Sequence, residues 1–389
     1  MTIIVQPSED DLAALVAPYL ALQADNTSLA FAIGIASPEP DFSAIYTFGA
    51  VQRQDGGPLT LDADTPFVLA SVSKTFAATA YAWYLTTQGP EDATLGDYPE
   101  LEIGPQFADI SLTSLVNYAS GLPQDNGSAD DEPTNMPQPY TVPGMLGFLN
   151  YTSMAPFPKP AYRYSNLGFG LMGAVLPAYA GTDDAYEQIV IDLIFSPLGL
   201  SAQFFDEVRL DTLPQGYYFN GQSYDCVAPP GWPQFPAYNG AGGIVASPND
   251  MQTWLLFNMG LMQEQPLNSL LPVLQTVSTP VKTGWGDHLG LGWFLGSNDG
   301  APFATVWKDG DLPGFSSYIA FLPSAAPGSA TSPAGVFVLS NTEGLNDASG
   351  IEICSSLAND VLYLMQGMTP PEDKSGYRRS KRPDIPAAT

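Results

Sequence analysis

The sequence predicts an α+β fold: an antiparallel sheet flanked by N-terminal and C-terminal helices, with a mainly helical domain inserted between the halves of the sheet. Two observations carry this expectation. Strand-like runs fall in two groups, one near residues 28–51 and one near 303–339, and helical patterns open and close the chain. The 389 residues are 45% hydrophobic and 13% charged, which marks a globular chain long enough for one large or two interleaved domains. The resulting boundaries are 1–105 with 261–368 for the sheet domain, 106–260 for the insertion, and a flexible tail over 369–389.

Taken in order, Ser8 caps a helix that carries Leu12, Leu15, Val16, Tyr19 and Leu20 on one face, with Pro18 expected to kink it. Ser28 to Ala36 and Ala44 to Val51 follow as a hairpin around Pro38-Glu39-Pro40-Asp41. A helix then runs through the apolar stretch from Thr75 to Trp83, with Ser71 at its N-terminus. Between about 105 and 260 the pattern is short helices separated by Pro- and Gly-rich loops. The longest loop, Leu122 to Pro143, suits a lid or substrate wall. Strands return at Phe303 to Trp307, Phe315 to Phe321 and Gly335 to Leu339. A last helix aligns Ile353, Leu357, Val361 and Leu364.

The net charge of -28 narrows the function classes. Up to residue 373 there are 39 acids against seven bases: Arg53, Lys74, Lys159, Arg163, Arg209, Lys282 and Lys308. Such a body repels nucleic acid and anionic membranes, so neither is an expected partner. No run approaches the roughly 18 apolar residues of a membrane span, and the first ten residues lack the pattern of a signal peptide. The expectation is a soluble, cytoplasmic protein. Cys226 and Cys354 have no metal or redox spacing and are expected to be buried free thiols.

Ser71-Val72-Ser73-Lys74 carries the clearest chemical signal, because lysine is scarce here and the spacing puts the amine one helical turn from the hydroxyl. The positive end of the helix also suits a developing oxyanion at Ser71. His288 is the single histidine, which excludes multi-histidine metal sites, and there is no Gly-x-Ser-x-Gly elbow for a Ser-His-Asp triad. His288 is expected in a surface loop, with a substrate contact as the sharper reading. Without histidine, a nucleophilic serine needs a neutral lysine or a tyrosine whose phenolate is favoured by nearby ammonium groups. Tyr164-Ser165-Asn166, opening an apolar run, and Lys308-Asp309-Gly310, ending a strand-like run, supply candidates for both. No cofactor is expected.

Together Ser71-x-x-Lys74, Tyr164-x-Asn166 and Lys308-x-Gly310 resemble the serine β-lactamase and penicillin-binding-protein superfamily, in the branch of class C β-lactamases, D-aminopeptidases, DD-peptidases and β-lactamase-like esterases. Further segments fall in family order from about residue 10 to 365. They include Thr65 to Ala70, Tyr118 to Pro123, Pro197 to Leu200, Ala241 to Ser247, Gly290 to Trp293 and Gly314-Phe315. The resemblance implies a β-lactamase/transpeptidase-like fold. It makes Ser71 the acylated nucleophile, Lys74 and Tyr164 the proton-transfer pair, Lys308 an electrostatic partner of Tyr164, and Asn166 a clamp on the substrate amide. The backbone N–H groups of Ser71 and Asp311 would form the oxyanion hole. Lys282-Thr283-Gly284 also spells the family's third motif, but the strand leading into Lys308 and the Leu312-Pro313-Gly314-Phe315 that follows favour Lys308.

Asp309 departs from the family, whose hydroxyl residue at that place helps hold a drug carboxylate. A carboxylate there repels anions by a few kcal/mol at about 4 Å. The expected substrate is therefore a neutral or cationic small-molecule ester or amide, contacted by Asn166, Asp309, Gly310 and Asp311, with penicillins and D-Ala-D-Ala peptides poorly used. The aromatic run from Tyr217 to Tyr238, including Trp232, suits a pocket wall. An esterase or amidase is the first reading. An acyltransferase, a D-aminopeptidase or DD-peptidase, a β-lactamase, and a stalled acyl sensor or inactive scaffold stay open.

Overall fold

The computed structural model describes residues 4–23, 27–125, 139–152, 156, 162–227, 235–262, 266–283, 287–297, 303–323, 332–348 and 350–372. Most of the Leu122 to Pro143 loop, Trp232 with Pro229-Pro230-Gly231, and the tail from 373 lie outside the described residues.

The fold is the expected α+β arrangement. Its sheet draws on both ends of the chain: β1 (Ala30–Ala36), β2 (Ala44–Gly49), β3 (Thr279–Lys282), β4 (His288–Leu289), β5 (Phe294–Ser297), β6 (Ala304–Leu312), β7 (Phe315–Phe321) and β8 (Gly335–Ser340). Their order is β3-β4-β5-β6-β7-β8-β1-β2, every pair antiparallel. All seven residues of β1 are buried, so its unbroken apolar run has cover on both faces. Helix α1 (Glu9–Leu20) starts at Ser8, which forms a capping box with Asp11, and buries Leu12 and Val16; Pro18 sits two residues before its end. The closing helix, Ile353–Met365, packs on β7 and β8 and buries Ile353, Leu357 and Val361, but of the expected face Leu364 is only half-buried and is the one residue of the helix that is not buried.

Four expectations change. The region from 105 to 260 is not only short helices: it holds a 15-residue helix, Asn166–Ala180, and a hairpin of Gly216–Phe219 with Tyr224–Val227. Ile244–Ala246 pairs with Phe67–Val68 and Gln203–Phe204, and Thr342–Glu343 runs parallel to Gly216–Phe219. These strands are two to four residues long, with several partners more than 100 residues away, so no local periodicity announces them. Strand β6 also runs beyond Trp307 through Lys308-Asp309-Gly310, because β7 pairs with it as far as Leu312↔Phe315, across a turn in which Gly314 has φ 90°.

His288 lies half-buried in β4, paired with Lys282 and Leu295, and not in a loop. Cys226 is exposed on the outer strand of the 216–227 hairpin, whereas Cys354 is buried. Among the described residues, no helix is long and apolar enough to cross a membrane.

Candidate active site

Ser71 sits on a turn tied down from three sides. The Leu69 N–H donates to the Ile244 carbonyl (2.9 Å), and the Leu69 carbonyl accepts from Ser317 Oγ (2.7 Å) and from the Val72 N–H (3.1 Å). Ala70 holds φ 46°, a left-handed conformation that costs a side chain on the order of 1 kcal/mol. A 3-10 turn, Ala70–Val72, then leads into α2 (Ser73–Thr87), so Ser71 precedes the α-helix by two residues and does not lie in its first turn. Every residue of α2 from Ser73 to Ala82 is buried. Trp254 stacks on Phe76 at 3.8 Å and donates from Nε1 to Thr75 Oγ1 (3.1 Å). The helix carrying Lys74 is thus part of the core.

Lys74 is fully buried, and its Nζ donates to Ser71 Oγ (2.9 Å), Asn166 Oδ1 (2.8 Å) and the Ala241 carbonyl (2.6 Å). Asn166 opens the helix Asn166–Ala180, capped by Ser165, and its Nδ2 donates to Asp125 Oδ1 (3.2 Å). The Tyr164 hydroxyl donates to Ser71 Oγ at 2.6 Å. Ser71, Lys74, Tyr164 and Asn166 therefore meet within hydrogen-bonding distance.

Sequence reasoning gave Tyr118 no part in this site. The structure buries its ring in parallel stacks with Tyr164 (centroids 5.6 Å, 15°) and Phe294 (4.8 Å, 13°), while its hydroxyl donates to the Gly292 carbonyl (2.8 Å). Burial first, then the neighbouring Tyr164 and Asp309, push the Tyr118 hydroxyl well above the ordinary tyrosine range, so it stays neutral. Tyr118 also adopts φ 60°. Its place ahead of Ser120-Gly121-Leu122 was the available signal.

Lys308 is fully buried on β6, with Nζ donating to the Asp309 carboxylate (2.7 Å) and carbonyl (2.6 Å) and lying 5.4 Å from the Tyr164 ring centroid. Burial pulls its pKa down, but Asp309, Tyr164 and Asp311 outweigh burial and hold it raised. Asp309 is thus not a lone repulsive charge; part of its effect is spent on Lys308. Lys282 is exposed on the edge strand β3, three places from β6 in the sheet. Strand β5 pairs with β6 only between Ala304 and Trp307, so the peptide groups from Lys308 to Leu312 have a second edge that β5 leaves open.

Gly310 packs on the serine turn: a Cβ there would lie 2.3 Å from the Leu69 carbonyl oxygen and 2.9 Å from the Ser71 nitrogen. Both are backbone atoms that cannot step aside. Gly310→Ala is expected to lower kcat/KM roughly a hundredfold, the scale of a displacement of about 1 Å, without loss of the folded baseline in circular dichroism. Full activity in that variant would contradict the packing.

A cavity of about 610 Å³ opens over Ser71 and Tyr164, walled by aromatic side chains, among them Tyr218 and Trp307. Four carboxyl groups line it: Asp309, Asp311, Glu343 and Glu352. The last two were not anticipated, because they lie more than 30 residues beyond the third motif. The 216–219 strand reaches the cavity because Gly216 meets Gly314 backbone to backbone, with a Cβ on Gly216 2.9 Å from Gly314 Cα.

Burial pushes Glu352 up to about 7, although it caps the closing helix and accepts from the N–H groups of Cys354 and Ser355 (2.9 Å each). Burial, then Glu352, Asp309 and Glu343, push Asp311 well above the ordinary range, and burial raises Glu343. In the folded state Glu352 holds a proton that the unfolded chain releases near 4.5. Its stabilising contribution is full below that value and is lost as pH climbs through about 7, a change on the order of a few kcal/mol. The melting temperature is expected to fall between pH 5 and pH 8, and Glu352→Gln to flatten the fall. A rise over that interval in calorimetry would contradict the assignment.

An antiparallel sheet backed by helices, with serine, lysine and tyrosine hydrogen-bonded in its cavity, is a β-lactamase/transpeptidase-like fold with the groups of a serine hydrolase. The family model described as Beta-lactamase matches residues 42–352, and the chain belongs to that family. A beta-lactamase of Pseudomonas fluorescens is 27% identical over 319 residues, which is 73% of this chain and 82% of that protein. Other curated relatives are matched over 39 to 55% of their length. Among solved structures, a class C beta lactamase from Rhodobacter sphaeroides superposes with a TM-score of 0.69 at 22% identity, covering 91% of this chain and 98% of that one. A D-amino acid amidase from Ochrobactrum anthropi superposes with a TM-score of 0.70 at 19% identity, covering 92% and 97%.

Proposed function

We propose that the protein is an esterase or amidase that works through an acyl-enzyme on Ser71. The observation that carries this reading is the convergence of Lys74 Nζ and the Tyr164 hydroxyl on Ser71 Oγ at 2.9 and 2.6 Å. Once one member of the Lys74–Tyr164 pair has released its own proton, as neutral amine or phenolate, Ser71 Oγ attacks the substrate carbonyl while its proton passes to that group, and the pair then protonates the leaving alcohol or amine. In the resting arrangement Lys74 meets three acceptors, and the ammonium groups of Lys74 and Lys308 lie 4.9 and 5.4 Å from the Tyr164 ring centroid. The N–H groups of Ser71 and Asp311 receive the oxyanion, Asn166 receives the substrate amide, and water releases the acyl group.

The four carboxyl groups of the cavity support a neutral or cationic substrate. A substrate carboxylate about 4 Å from one of them meets repulsion of about 4 kcal/mol at an effective dielectric of 20. Pairing with Lys308 reduces the share of Asp309, and the raised proton affinities of Asp311, Glu343 and Glu352 reduce theirs.

The test is a panel of p-nitrophenyl esters, amides and a cephalosporin, run with and without added alcohols and amines, alongside fluorophosphonate labelling and peptide mapping. Turnover of neutral esters with the adduct on residue 71 is expected. Efficient cephalosporin turnover would overturn the substrate assignment, rate gains with transferred product would make the protein an acyltransferase, and absence of both turnover and adduct would overturn the mechanism.

A further inference from the structure

We infer that Tyr118 is a positioning residue for the reaction, the ring that holds Tyr164 and the two buried lysines in register with Ser71; the inference rests on the acyl-enzyme reading above. Tyr118 follows the short helix Leu112–Val116 and adopts φ 60°, a left-handed conformation that a bulky side chain rarely takes and that persists only where its surroundings enforce it. The surroundings do so at both ends of the residue. Its carbonyl accepts from the Arg163 N–H (2.8 Å), one residue before Tyr164. Its hydroxyl donates to the Gly292 carbonyl (2.8 Å), and the Gly292 N–H donates to the Val116 carbonyl (2.7 Å), so Gly292 is fastened to the 116–118 segment through both of its backbone groups. Gly292 in turn rests on α2: it has φ 76°, and a Cβ there would lie 2.7 Å from Ala78 Cβ and 2.9 Å from the Lys74 carbonyl oxygen.

The ring between these anchors meets the groups that carry the chemistry. It stacks on Tyr164 and on Phe294 of β5, and its centroid lies 5.2 Å from that of Phe169 in the helix Asn166–Ala180. Those three rings are the ones that face the two ammonium groups. Lys74 Nζ is 4.9 Å from the Tyr164 centroid and 5.5 Å from that of Phe169, and Lys308 Nζ is 5.4 Å from Tyr164 and 5.5 Å from Phe294. Stacking and cation–π attraction both depend on how a ring is turned, so the packing on Tyr118 sets the tilt of Tyr164 and the seat of each ammonium together. Tyr118 itself is buried and does not line the cavity, so it acts through Tyr164 and not on the substrate. A displacement of about 1 Å at a reacting group costs about a hundredfold in rate, and the Tyr164 hydroxyl meets Ser71 Oγ at 2.6 Å.

The test is a double-variant cycle. Wild type, Tyr118→Leu, Tyr164→Phe and the pair are compared by kcat/KM on a p-nitrophenyl ester and by the second-order rate of fluorophosphonate labelling. Tyr118→Leu is expected to lower both about tenfold to a hundredfold. In the Tyr164→Phe background, where no hydroxyl is left to position, it should lower them by less than about threefold. Tyr118→Phe keeps the stacks and loses only the bond to Gly292, so it should recover most of the rate that Tyr118→Leu loses while still melting below wild type. Should Tyr118→Leu not fold, Phe294→Leu, which removes a ring on which Tyr118 stacks, is read in the same two backgrounds and is expected to show the same lack of additivity. Equal losses with and without the Tyr164 hydroxyl, or a Tyr118→Leu rate within about threefold of wild type, would overturn the positioning role and leave the acyl-enzyme intact. Tyr118→Phe as slow as Tyr118→Leu would also overturn it, since the ring would then count for nothing without its anchor. No ester turnover and no adduct in wild type would overturn both readings.

Discussion

Ser71→Ala is expected to give a folded protein that hydrolyses no ester and takes up no fluorophosphonate. Removing Oγ takes an acceptor from Lys74, but Asn166 Oδ1 and the Ala241 carbonyl remain, so the buried ammonium keeps two partners. Tyr164 loses its acceptor at the edge of an open cavity where water can replace it. The stability cost is therefore about 1 kcal/mol, the usual net value of one hydrogen bond. The rate cost is of another order: loss of the nucleophile is worth on the order of 10⁶ in kcat, leaving only what binding and oxyanion contacts supply. Melting temperature, steady-state rates and intact mass separate the two effects. An undiminished adduct in Ser71→Ala would move the nucleophile elsewhere.

Lys74→Met and Tyr164→Phe should each slow acylation by about 10² to 10⁴, the range for losing a proton-transfer group. Their stabilities should differ. Lys74→Met strands Asn166 Oδ1 and the Ala241 carbonyl, each a cost of roughly 1–3 kcal/mol where water cannot enter. Tyr164→Phe keeps the ring and its stack on Tyr118, so its melting temperature should stay close to wild type. Because the two groups share one proton, the double variant should be little slower than the slower single variant. Additive losses would show that they act in separate steps, and near-normal rates in both would leave Ser71 with a base outside this cluster.

The legible part of this molecule is the part encoded locally. Ser71 and Lys74 are three residues apart, the apolar spacing of the first and last helices marks one face, and β1 is a continuous apolar run. Tyr164, Asn166 and Lys308 were found through short motifs in a fixed order. Contacts with no local signature were not legible. Tyr118 stacks on residues 46 and 176 positions away, and Glu343 and Glu352 reach the cavity only through the packing of the closing helix and the strand before it. The pairing of Asp309 with Lys308 joins sequence neighbours, yet it depends on strand twist and burial that a residue pattern does not state. The misread strands of the insertion have the same origin, since their partners supply the order that their own sequences lack.

The pairing of β1 with β8 also sets a timetable for synthesis. Phe31 lies opposite Ser340, so β1 leaves the ribosome roughly 300 residues before its partner, or about 15 to 60 s earlier at 5–20 residues per second. During that interval the hairpin with β2 is available, but the other edge of Ala30–Ala36, seven residues with no charge and no proline, has no strand to meet. Expression at low temperature or with raised levels of strand-binding chaperones should therefore increase the yield of folded protein more than changes to its surface would.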